Sequence, residues 1–179
     1  MAVVSEDKDL SLLERIKQKR RRYVKQLGKR LIRGLADFLG SQSLVGDKPV
    51  LDINDFPELR PIQAEWKTIR AEIEEVLKFR DAVPVFQEVS SDQKRIAKGN
   101  NWRTFILYGF GQKLHKNCAK TPVTTALLER IPNLQTAWFS ILAPGYHIPA
   151  HRGSSKGILR CHLGLIVPKD AEKCRLRVA

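Results

Sequence analysis

Cysteine is scarce: Cys118, Cys161 and Cys174 are the only three in 179 residues. An odd number at wide spacing excludes a fully paired disulfide framework and a four-thiolate zinc site. A reducing cytoplasm is the compartment this usage predicts. Long hydrophobic runs are also missing, since no stretch approaches the roughly 18 uncharged apolar residues that a membrane-spanning helix needs. The first residues include Ser5, Glu6, Asp7, Lys8 and Asp9, unlike the basic-then-apolar order of a secretory signal. Neither a spanning helix nor a secretory signal is predicted. Acids are few beside bases, 19 Asp and Glu against 32 Lys and Arg, which leaves a net charge of +13. Such a chain attracts an anionic partner, and nucleic acid, anionic lipid headgroups and acidic substrates all remain open. There is no internal repeat and no low-complexity segment. A hydrophobic share of 42% in a chain of this length suits one core with an appendage.

From about Leu10 to Leu39 proline is absent, and Val24, Leu27, Leu31, Leu35 and Phe38 recur at spacings of three and four. That is the period of a helix with one apolar stripe. Arg15, Lys17, Lys19, Arg20, Arg21, Arg22, Lys25, Lys29, Arg30 and Arg33 lie on its other faces. Residues 1–40 therefore read as a basic amphipathic helical extension ending near Gly40, residues 41–57 as a linker, and residues 58–179 as the main domain. Within that domain Leu59, Ile62, Trp66, Ile69, Ile73, Val76 and Leu77 predict a packing helix over Glu58–Arg80. Beyond Trp102 the pattern changes. Trp102–Tyr108, Ala137–Leu142, Ile158–Val167 and Arg175–Val178 are short runs of aromatic, branched and leucine residues, separated by turn formers such as Gly109, Pro144-Gly145, Gly153 and Pro168. They predict strands of an antiparallel sandwich or jelly roll, with a helix inserted around Thr121–Arg130.

His147, His151 and His162 fall within sixteen residues in this strand region. Imidazole is the commonest neutral ligand for iron, copper and zinc. From spacing alone, a metal site and three ordinary packed or surface histidines both remain open. His115, in a Lys-rich stretch, reads as a solvated surface residue.

The segment from Ala137 through Trp, Phe, Ser140, Ile, Leu, Ala, Pro144, Gly145, Tyr, His147, Ile, Pro and Ala to His151, then Arg-Gly, then Leu159-Arg-Cys-His-Leu-Gly-Leu-Ile-Val-Pro168, resembles the aspartyl/asparaginyl β-hydroxylase family. Its most specific pieces are the serine strand followed by Pro-Gly, the His-x-Gly, and the Arg-x-His-Leu-Gly-Leu after it. Asn101-Trp102, Phe105, Leu107, Gly109, Asn117-Cys118 and the Thr-rich helix from Pro122 extend the resemblance over about Lys48–Val178.

The resemblance implies an α+β fold. Its core would be a double-stranded β-helix of jelly-roll or cupin-like type, incomplete at the C-terminus and preceded by N-terminal helices. It also implies an Fe(II)- and 2-oxoglutarate-dependent dioxygenase that uses O2 and hydroxylates either an acyl chain of a membrane lipid, as in bacterial lipid A hydroxylases, or an Asp/Asn side chain of a polypeptide. His151 becomes the metal ligand. Gly153 stands where other ferrous oxygenases carry a carboxylate, as is usual in this family. Trp102, Ser140, Arg160 and His162 become the residues that bind 2-oxoglutarate, and a strand from Arg160 to His162 would turn both side chains the same way. A guanidinium, a hydroxyl and an imidazole N–H all suit a carboxylate. His147 matches no family position. Cys118 falls where vertebrate relatives have half of a disulfide, but the partner position is Thr125. The family's second iron-binding histidine, in a Phe-Asp-Asp-x-x-Glu-His segment, and a distal arginine have no counterpart here. A partial or truncated enzyme and a complete but inactive protein are both open, and the retained motif residues favour truncation.

The basic helix tilts the substrate toward lipid and adds an expectation of peripheral association of residues 10–39 with an anionic surface of the inner membrane. A non-catalytic basic module is the alternative. Arg20, Arg21 and Arg22 could track nucleic-acid phosphates, but no helix-turn-helix, zinc-finger or RNP-like pattern accompanies them, so nucleic acid is disfavoured.

Overall fold

A computed structural model of the chain describes residues 12–46, 48–90, 96–97, 99–151, 153 and 156–178. The start of the expected basic helix, Leu10 and Ser11, lies outside the described residues, as does Arg152. The chain divides into two compact units. The first takes residues up to Lys48 together with Gly153–Arg160; the second takes Pro49–Arg152 and Cys161 onward.

In the first unit, helix α1 runs from Leu12 to Ser41. It passes unbroken through Gly28 and Gly34, each of which weakens a helix by about 1 kcal/mol relative to alanine. At its end the Ser41 hydroxyl donates to the Phe38 carbonyl at 2.7 Å, satisfying one of the last carbonyls. Lys156, from the 153–160 segment, pairs with Asp37 of α1 at 3.4 Å.

The second unit holds α2 (Arg60–Ala64), α3 (Trp66–Leu77), α4 (Phe86–Val89), β1 (Trp102–Gly109), β2 (Gln112–Lys113), α5 (His115–Cys118), α6 (Pro122–Leu128) and β3 (Ala137–Leu142). The single helix expected over Glu58–Arg80 is broken at Glu65, whose φ of −88° and ψ of 17° interrupt the spiral. The Glu65 carboxylate, at the positive end of α3, accepts from the Thr68 hydroxyl at 2.9 Å. Beyond the break the predicted periodicity holds: Ile69, Ile73 and Val76 are buried, while Trp66 at the junction stays 37% exposed.

β1 pairs with both other strands in an antiparallel sheet of order β2-β1-β3. Trp102 lies opposite Leu142, Thr104 opposite Ser140 and Phe105 opposite Phe139, with an irregularity between Ile106 and Tyr108. Residues directly opposite share a face, so Phe105 and Phe139 enter one core with Ile69, Ile73, Leu107 and Leu127. Phe86, Ile96, Ala97 and Trp102 make a second cluster, against which Tyr146 and Ile148 pack. Two β-helix sheets are not described; the strands form this one sheet beside helices, an α+β arrangement.

The β1–β2 hairpin turns on Phe110 and Gly111, both at positive φ, 50° and 77°. That is the conformation of a two-residue turn in which Asn-Gly is preferred. Helix α6 is held from a distance: the Glu72 carboxylate of α3 accepts from Val123 N–H at 2.7 Å, Thr124 N–H at 2.9 Å and the Thr124 hydroxyl at 2.6 Å. A carboxylate there satisfies amides that begin the helix without partners.

Two expected strands are corrected. Residues 158–167 and 175–178 carry no ladder. Their apolar pattern still acts locally, since Leu163 and Leu165 pack against the main core. Period-two hydrophobicity needs only a surface to cover, whereas a strand needs a neighbouring backbone for its N–H and C=O groups. Cys118 is a buried free thiol, and the Thr125 hydroxyl donates to its carbonyl at 3.1 Å.

Candidate functional site

Trp102 opens β1 and is buried. Its indole stacks on Phe86, ring centroids 3.8 Å apart and planes 3° from parallel, which fixes the direction of its N–H. Ser140 lies on β3 one pair along the same face, exposed to solvent. The indole Nε1 donates to Ser140 Oγ at 2.9 Å. With Oγ already an acceptor, the serine proton is directed elsewhere, so the pair presents a hydroxyl donor suited to an anionic oxygen.

Past β3 the chain reverses at Ala143–Tyr146. The Tyr146 N–H donates to the Ala143 carbonyl at 3.1 Å, Pro144 takes the first central position and Gly145 the second with φ of 73°, the chemistry a type II turn requires. The turn seats Tyr146 on the second cluster, and its hydroxyl donates to the Ile96 carbonyl at 3.1 Å. Four residues of irregular chain, 147–150, then lead to His151, exposed, with Nδ1 2.9 Å from the Pro149 carbonyl. When Nδ1 carries the proton and donates there, Nε2 keeps its lone pair for a metal, the usual arrangement of a ligating imidazole.

His162 is exposed in the second unit and Arg160 is exposed in the first. The reason given for aiming them together, alternation along one strand, does not apply, because these residues form no strand. The structure thus joins Trp102 and Ser140 directly and holds His151 by its own backbone contact. Among the described residues no three His, Cys, Asp or Glu side chains gather closely enough to hold a metal ion. His147 and His115 are exposed.

Phe86 and Tyr146 were not singled out by sequence reasoning. Tyr146 had a signal, an aromatic immediately after a Pro-Gly turn. Phe86 had none, because its stacking partner is remote in sequence.

A family model described as aspartyl/asparaginyl beta-hydroxylase matches residues 63–179. The chain belongs to the aspartyl/asparaginyl β-hydroxylase family. The match takes in Trp102, Ser140, His151, Arg160 and His162 and leaves α1 outside it. Among curated relatives, the ornithine lipid ester-linked acyl 2-hydroxylase of Rhizobium tropici is 46% identical over 134 residues, which cover 75% of this chain and 48% of that protein. The aspartyl/asparaginyl beta-hydroxylases of Homo sapiens and Mus musculus are each 32% identical over 127 and 126 residues, 68% of this chain and 16% of theirs. The chain therefore spans about half the length of the rhizobial relative and a smaller share of the mammalian ones. No solved structure matches it significantly. As a hydroxylase-family chain it carries its buried indole and exposed serine inside the matched region.

Proposed function

We propose that this chain carries the co-substrate face of an Fe(II)- and 2-oxoglutarate-dependent dioxygenase that hydroxylates an acyl chain of a membrane lipid. The observation that carries the reading is the Trp102–Ser140 pair, a donor hydroxyl oriented by a fixed indole. In this reading Ser140, Arg160 and His162 bind the carboxylates of 2-oxoglutarate, Trp102 positions Ser140, and the three-stranded sheet forms part of a double-stranded β-helix. The identity with the ornithine lipid acyl 2-hydroxylase, spread over three quarters of the chain, supports a lipid rather than a polypeptide substrate.

His151, with Nδ1 engaged by Pro149, suits a single metal bond. One imidazole does not by itself make a ferrous site, and among the described residues no group of three His, Cys, Asp or Glu side chains stands ready to hold a metal ion. The iron would supply the activation of O2 when bound; the residues of this chain orient the co-substrate. The 179-residue chain alone is accordingly expected to hold Fe(II) weakly and not to hydroxylate.

The test is expression of the full gene product in a host that makes ornithine lipids, with mass spectrometry of the lipid acyl chains and of Asp/Asn-containing peptides. One added oxygen on an acyl chain, lost in Arg160→Ala, is the expected result. Oxygen found on the peptide and not on the lipid would reverse the substrate assignment. By calorimetry Arg160→Ala should weaken 2-oxoglutarate about a hundredfold, since a carboxylate left without its charged partner costs on the order of 3 kcal/mol. Unchanged affinity removes Arg160 from the site.

A further inference from the structure

We infer that α1 is the surface by which this protein lies on an anionic bilayer, its second half inserted at the headgroup–acyl boundary and its first half seated on lipid phosphates through Lys17, Arg20 and Arg21.

Tyr23, Val24, Leu31, Ile32, Leu35 and Phe38 are 59% to 69% exposed, a concentration of large apolar side chains facing solvent on one helix. At 100° per residue, Leu27, Leu31, Ile32, Leu35, Phe38 and Leu39 all fall within roughly 80° of Val24. Lys25, roughly 100° away, flanks this arc, while Lys29, Arg30 and Arg33, roughly 120° to 180° away, lie on the opposite side. Toward the N-terminus the same arc changes character, and three of the ten cations expected on the other faces lie on it. Lys17, Arg20 and Arg21, all exposed, sit within roughly 60° of Val24's direction. One face is therefore apolar from Val24 to Leu39 and cationic from Lys17 to Arg21. The helix holds ten Lys and Arg against two Asp and Glu; ten minus two leaves eight of the chain's net thirteen positive charges on it.

That division selects the occupant. In a parallel pair with a second copy, Lys17, Arg20 and Arg21 would confront their own equivalents; in an antiparallel pair they would be pressed against leucines, and buried unpaired cations are costly. Nucleic acid would engage the cations but leave the apolar half in water. An anionic bilayer surface satisfies both halves, hydrocarbon below the headgroups and phosphates at their level. No described helix is long and apolar enough to cross a membrane, so α1 lies in the plane of the surface. The inference deepens the lipid reading and rests on it for its biological sense, since it brings the enzyme to the phase that holds an acyl substrate. The measurement below concerns binding and not turnover.

The experiment is co-sedimentation of the full chain with vesicles of phosphatidylcholine alone and of phosphatidylcholine mixed with phosphatidylglycerol, at low and high salt. Sedimentation only with the anionic vesicles, weakened by salt, is expected. Two triple variants of equal charge set the orientation. Lys17→Gln/Arg20→Gln/Arg21→Gln should weaken binding about a hundredfold, at roughly fivefold per cation near the surface. Lys29→Gln/Arg30→Gln/Arg33→Gln should weaken it several-fold at most, because those groups sit about a helix diameter away, comparable with the screening length. Leu31→Gln/Leu35→Gln should also abolish sedimentation while far-UV circular dichroism stays unchanged. Equal losses from the two triples, sedimentation with neutral vesicles alone, no sedimentation at all, or tighter binding to duplex DNA than to anionic vesicles at equal salt would each overturn the inference. Vesicle binding without lipid hydroxylation leaves this surface standing and removes the substrate assignment; hydroxylation of detergent-dispersed lipid without vesicle binding does the reverse.

Discussion

If Trp102 positions Ser140, the two side chains must be energetically coupled, and a double-mutant cycle measures that coupling. Ser140→Ala removes the acceptor and leaves the Nε1–H of a 7% exposed tryptophan without a partner. A buried donor so orphaned costs about 1–3 kcal/mol. Trp102→Phe removes the N–H, retains an aromatic ring over Phe86, and leaves Ser140 at the surface, where water replaces the lost bond. Its polar cost is smaller, about 0.5–1.5 kcal/mol, with a further loss from the deleted ring atoms that the cycle cancels. In the Trp102→Phe background, Ser140→Ala should therefore cost almost nothing. The expected coupling is about 1–3 kcal/mol, read from urea unfolding of the four proteins at equal m-value. A 2-oxoglutarate titration of Trp102→Phe should show affinity lowered several-fold, because Ser140 remains but its proton is no longer directed. Coupling within the roughly 0.5 kcal/mol scatter of independent sites would refute the positioning role, whatever the titration shows.

Four further outcomes follow from individual contacts. Thr104→Val should be neutral or stabilising by up to about 1 kcal/mol in urea unfolding, because Thr104 Oγ1 is buried with no hydrogen-bond partner and its removal frees no other group. Phe110→Asn should stabilise by about 1 kcal/mol, since a 95% exposed aromatic contributes little burial and its φ of 50° is strained for phenylalanine; loss of stability would mean the ring has a partner. Glu72→Gln should destabilise by about 1–2 kcal/mol, weakening the cap on α6 without removing it, visible as a lower thermal midpoint. For pH, the Lys113 ammonium is raised above its usual value by its hydrogen bond to Glu129, and Tyr108 is raised by burial. Their stabilisation is full below the ordinary values of 10.5 and 10.0 and is lost as pH climbs through the raised ones. Glu129 is lowered by its hydrogen bond to Lys113, so its share is full above the ordinary 4.5 and is lost as pH falls through the depressed value. The contribution of these three groups should therefore stay flat between about pH 5 and 10 and decline outside that range; Glu129→Gln should remove the acid limb attributable to this pair, and an unchanged limb would exclude it.

The N-terminal helix was legible in the sequence because its signal is local. A run without proline and with apolar residues at three and four is a helix whatever surrounds it, and α1 spans Leu12–Ser41 as the pattern predicted. The strands at Trp102 and Ala137 and the helix from Pro122 were legible for the same reason, and the family followed from motif residues that are contiguous in the chain. Tertiary structure decided what depends on a distant partner. Residues 158–167 have the composition of a strand, but pairing is a property of two segments, and this one forms no ladder while Leu163 and Leu165 pack against the core. The break at Glu65 hangs on one residue's dihedral angles, which periodicity does not resolve. The cap on α6 comes from Glu72, fifty-one residues before Val123, and the orientation of the Ser140 hydroxyl comes from Trp102, thirty-eight residues away and itself held by Phe86. Residue identity could nominate Trp102 and Ser140 separately; the antiparallel register that sets them one pair apart on the same face made them a single donor.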